Sequence, residues 1–117
     1  MSMREIAGLT PCLDALREQG QMTWSEHADG WNGRPEEILR ALGTDGFQEC
    51  KREMTTSRRD CHPVGGVWQG VNPHTKSVAS VVWVARSALQ PAMVFLEIDG
   101  ETMANPRREP DADEERG

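Results

Sequence analysis

Cysteine and histidine are the residue types here best suited to chemistry near neutral pH, and Cys50, Cys61, His62 and His74 lie close together in the chain. Thiolates and imidazoles ligate zinc, but structural zinc sites draw their ligands in closely spaced pairs from tight turns. The adjacent Cys61-His62 does not supply that spacing. The expectation is therefore no metal, a buried thiol at Cys50 and histidines on surface loops. Asp60-Cys61-His62 also spells a nucleophile beside a base, with His62 or His74 placed to lower the thiol pKa. Neighbours in sequence seldom point at one another, and no oxyanion-hole motif accompanies them. "GGVWQG" (65–70) has glycines but no lysine and no following helix, so it is not a phosphate loop. No catalytic residue, cofactor or enzymatic activity is expected.

Charge is the next possible source of function. The chain of 117 residues carries a formal net charge of −6. Residues 51–86 run the other way: Lys51, Arg52, Arg58, Arg59, Lys76 and Arg86 face only Glu53 and Asp60. A basic middle in an acidic chain suits an anion-binding patch, or else a solvated face. The stretch "NPRREPDADEERG" (105–117) has almost no large apolar residue and predicts a disordered, charged tail. Residues 1–104 are left as a single domain, enough to bury one core.

The elements that would position these groups change character halfway along. Thr10-Pro11 reads as an N-cap and first turn, with Leu13 and Leu16 as an apolar stripe and Gly20 as a left-handed stop. Thr23-Trp24-Ser25-Glu26 fits a capping box that opens a second helix ending at Gly30. Arg34-Pro35-Glu36-Glu37 opens a third, with Ile38, Leu39 and Leu42 apolar and Gly43 as its stop. Trp24 and Trp31 then seal the second helix against the first. "VWQGV" (67–71), "SVASVVWVA" (77–85) and "MVFLEI" (93–98) read as strands, the first two joined through Asn72–Lys76. Both faces of 77–85 are largely apolar, which predicts a central strand covered on both sides. "FQECKREMTT" (47–56) fits a helix or a charged edge strand equally. The predicted class is α+β: an N-terminal three-helix, helix-turn-helix-like unit followed by a small antiparallel sheet.

That order resembles the winged helix-turn-helix DNA-binding domain over residues 10–71. "LDALREQGQ", "TWSEHADG" and "RPEEILRAL" match its three helices, "DGFQECKREM" and "GGVWQGV" its wing strands, and "TTSRRDCHPV" its wing loop. Strands within 77–99 would follow as an addition. The resemblance implies a small regulatory protein bound to double-stranded DNA, with the third helix in the major groove and the wing along phosphates. Arg34 and Arg40 would lie on or near the reading helix, and Lys51, Arg52, Arg58 and Arg59 on the wing. Asp29, Asn32, Glu36 and Glu37 depart from the pattern, and the two glutamates would oppose phosphate at the front of the reading helix.

A second expectation comes from size and charge. A small acidic protein without a catalytic motif also suits a protein-interaction or inhibitor role, of the kind phages and mobile elements use to block nucleic-acid machinery. The apolar strands at 77–98 exceed what a wing needs and suggest a homodimer. Three cysteines without framework spacing, no apolar leader and no run long enough to span a bilayer suggest a cytoplasmic protein without membrane contact.

Overall fold

A computed structural model of the chain describes residues 9–56, 63–85 and 91–104. The elements run α1 (Pro11–Glu18), β1 (Met22–Ser25), β2 (Gly30–Gly33), α2 (Pro35–Thr44), β3 (Gln48–Thr56), β4 (Pro63–Val71), β5 (Val78–Val84), β6 (Ala92–Ile98) and β7 (Glu101–Thr102). All strands join one antiparallel sheet in the order β1-β2-β6-β5-β4-β3, with β7 also paired to β6. The expected tail at 105–117 lies outside the described residues. Among the described residues, no helix is long and apolar enough to cross a membrane.

The helix signals at 10–20 and 34–44 act as their chemistry dictates. The Thr10 hydroxyl accepts a hydrogen bond from Leu13 N–H, and Pro11 occupies the first turn. Gly20, at φ 79°, ends α1: its N–H donates to Arg17 O, and Gln21 N–H donates to Leu16 O. The end of α2 repeats this arrangement, with Gly46 donating to Gly43 O and Phe47 to Leu42 O. These paired bonds satisfy carbonyls that a helix end otherwise leaves open. Gly43 is thus inside α2, and Gly46, at φ 108°, is the stop. The two helices are tied together where the Asp45 carboxylate accepts from Cys12 N–H at the start of α1.

The three-helix unit is overturned, because "TWSEHADG" forms a hairpin. Trp24 pairs with Trp31 across β1 and β2, and their rings meet edge to face at 5.2 Å. Such a pair contributes about 0.5–1.5 kcal/mol beyond its burial. The Ser25 hydroxyl accepts from Ala28 N–H, and Asp29 takes the left-handed conformation at φ 54°. Thr23 and Glu26 resemble a capping box, but the tryptophan pair exists only when both residues are extended. Residues 48–56 resolve to strand, paired along their length with β4. The sheet of seven strands is accordingly the main body of the protein, with the two helices on one face.

Leu13, Ile38, Leu39 and Leu42 from the helices meet Trp31, Trp68, Val81, Trp83, Val94 and Leu96 from the sheet in a single core. Trp31 is fully buried, and its indole N–H donates to Met103 O at 2.8 Å. Two glycines of "GGVWQG" make room for tryptophan rings. A Cβ on Gly66 would stand 2.2 Å from the Trp83 ring, and one on Gly70 would stand 2.3 Å from the Trp68 ring. The glycines have a packing role that the sequence alone does not announce.

Candidate functional site

Of the cations expected to form one DNA-binding surface, Arg40 and Arg52 border the same cleft, whereas Lys51 points to the other face of the sheet. Arg34 caps the start of α2 with its backbone and is exposed. Arg40 lies further along α2 and pairs with Glu37 at 3.1 Å. Lys51 and Arg52 are consecutive in β3 and point to opposite faces, since Lys51 stands opposite Gln69 and Arg52 opposite the buried Trp68. Arg52 pairs with Glu49 at 2.8 Å, and Lys51 lies 3.9 Å from Glu53. Arg58 and Arg59 lie outside the described residues. The helix expected to read DNA turns Ile38, Leu39 and Leu42 into the core. The expected wing strands β3 and β4 do pair, but β4 is an interior strand bonded to β5 on its other edge.

A bulge creates the polar site nearest to Arg52. Glu49 stands opposite Gly70 and Lys51 opposite Gln69, so Cys50 is an extra residue in β3. Residues three apart in a regular strand point to opposite faces. The extra residue brings Glu49 and Arg52 to the same face, where both can meet the Trp68 indole. Trp68 Nε1–H donates to Glu49 Oε1 at 2.9 Å, and Arg52 Nε–H donates to the same oxygen at 2.9 Å. These two donors, with Arg52 the stronger influence, hold the Glu49 carboxyl below its ordinary pKa. Cys50 itself is exposed, correcting the expected buried thiol, and its Sγ–H donates to Gln69 O at 3.5 Å.

A cleft of about 490 Å³ opens between α2 and β3, with Leu39, Phe47 and Trp68 at its base and Glu36, Arg40, Glu49 and Arg52 around it. Among the described residues its charges come as two carboxylates and two guanidiniums. Trp68 is only 2% exposed and offers no open ring for base stacking. Neither histidine nor cysteine lines it.

The opposite side of the sheet is different. Val78, Val82 and Val84 are 41–50% exposed there, and neither helix packs on them. Alternation along β5 sends Ala79, Val81 and Trp83 into the core and the valines outward. The strand is interior, as its sequence suggests, but among the described residues helices cover only one of its faces. Glu53, Val67, Val82 and Phe95 form one row across this side. Lys51, Gln69, Ser80 and Glu97 form the next. An apolar surface of this kind, bordered by polar residues, is characteristic of association sites.

Among the described residues, the remaining chemistry-bearing side chains do not converge. His74 is exposed in the β4–β5 loop, where its N–H donates to Asn72 Oδ1. Cys61 and His62 lie outside the described residues; among those described, no three potential metal ligands cluster. Cys12, half-buried beside α2, has its thiol pKa raised by hydrogen bonding to Asp45, by burial and by that carboxylate's charge. This environment disfavours a thiolate at Cys12, the form a nucleophile requires. The described residues form two helices and a single sheet with one apolar face that neither helix covers. No family model, curated protein or solved structure compared with the chain matches it.

Proposed function

We propose that this chain is a small protein-interaction module that docks through the open face of its sheet. The observation supporting this reading is the row of exposed β5 valines, Val78, Val82 and Val84, on a sheet whose other face already packs against both helices. Burying apolar surface contributes roughly 25 cal/mol per Å², a source of affinity that does not depend on matching charges. This reading shares the protein-interaction class expected from size and charge, with an apolar surface in place of an acidic one. A DNA-binding role draws less support, since Lys51 and Arg52 face apart and Arg40 and Arg52 are engaged by carboxylates.

The test compares a hydrophobic fluorescent dye with a labelled DNA duplex. Wild-type protein is expected to bind the dye, and Val82→Lys/Val84→Lys to lose that binding while retaining its far-ultraviolet circular dichroism. The duplex is expected to show no binding at low salt. Dye binding unaffected by the lysines would overturn the docking surface. Duplex binding that weakens with salt and is lost in Arg58→Glu/Arg59→Glu would restore the DNA reading.

A further inference from the structure

We infer that the partner on the open sheet face is a second copy of this chain, packed face to face about a two-fold axis parallel to the strands. This inference rests on the docking reading above and names its partner. Pairing places Lys51, Gln69, Ser80 and Glu97 in one row across β3, β4, β5 and β6. The lysine and glutamate occupy opposite ends of that row. An axis between β4 and β5 reverses it, setting Lys51 of each copy over Glu97 of the other and Gln69 over Ser80. That row is therefore its own electrostatic complement, as an isologous interface requires, while Glu53, opposite Val67 in β3, falls over Phe95 at the margin of the contact.

The apolar residues fit the same operation. Val67 and Val82 are opposite one another across β4 and β5, as are Val71 and Val78, and Gly65 and Val84. The axis sets each residue over the other member of its pair, so Val67 meets Val82, Val71 meets Val78, and the Val84 side chain faces a glycine. Packed sheets lie about 10 Å apart, a gap that lysine and glutamate bridge from opposite sides. Four strands of about seven residues present roughly 450 Å² per copy. The resulting total of about 900 Å² lies near the lower limit for a specific interface and gives a weak, reversible dimer. Residues 105–117 have little apolar surface with which to cover the valines in place of a second copy.

Sedimentation equilibrium from micromolar to submillimolar protein, with dye binding measured on the same samples, tests the inference. Wild type is expected to dimerise reversibly. K51E and E97K, each tested alone, set like charges opposite one another and should weaken association by about tenfold. The double variant K51E/E97K should recover it, a result that general loss of stability cannot produce. Circular dichroism identifies any variant that fails to fold, and Val82→Lys supplies an independent means of blocking the face. A wild-type monomer across the range, or no recovery in the double variant, overturns the inference. A monomer whose dye binding is lost in Val82→Lys leaves the docking reading standing with another partner. A monomer that binds no dye overturns both.

Discussion

The two faces of this sheet use similar amounts of apolar sequence for different ends. On the helix side, large rings are matched to empty space: Trp83 lies over Gly66, and Trp68 over Gly70. On the other side, valines stand beside one another with no helix over them. Shape matching of the first kind makes a core sensitive to single atoms. The second kind leaves a surface whose substitutions affect association more than folding. The proposed interactions fall on the side that neither helix covers.

Trp31→Ala should separate the faces most strongly. It removes a fully buried ring and its hydrogen bond to Met103 O, and should cost about 3–5 kcal/mol in urea unfolding. Gly66→Ala adds one carbon against the Trp83 ring and should cost about 1–3 kcal/mol by the same measurement. Val78→Thr, on the open face, should change unfolding of dilute protein by less than about 0.5 kcal/mol. A large loss there would mean that the two faces are not distinct.

The smallest expected effect is on titration. Glu49 has its pKa lowered chiefly by Arg52 and then by the Trp68 indole. Such a group contributes stability above the pKa it has when unfolded, and that contribution is lost as pH falls through its lower folded value. Following the Trp68 indole proton by NMR should therefore show a transition below the ordinary glutamate range. In Arg52→Gln that transition should move up. An unchanged midpoint would mean that the bulge does not create a functional pair.

Local signals were legible where one chemical group decides the conformation. Pro11 and Pro35 begin helices, and Gly20 ends one, because each acts through its own backbone geometry. "TWSEHADG" misled because its capping pattern competes with the Trp24–Trp31 contact, which requires a strand pairing. Gly43 misled in a smaller way: glycine is tolerated within a helix, and the stop fell three residues later at Gly46. The site was less legible than the fold. A bulge at Cys50 decides that Glu49 joins Arg52, and nothing in "FQECKREM" declares which residue is extra.

By itself, the sequence determined the helices at the two prolines, the strand character of 67–71, 77–85 and 93–98, and the alternation of Val78, Val82 and Val84 against Ala79, Val81 and Trp83. These depend on local backbone chemistry and on a period of two. Tertiary structure alone decided that "TWSEHADG" pairs as a hairpin, that Lys51 and Arg52 part to opposite faces, and that both described helices pack on the same side of the sheet. Those outcomes depend on pairing register and on which face the helices reach. Both are set by contacts between segments distant in the chain.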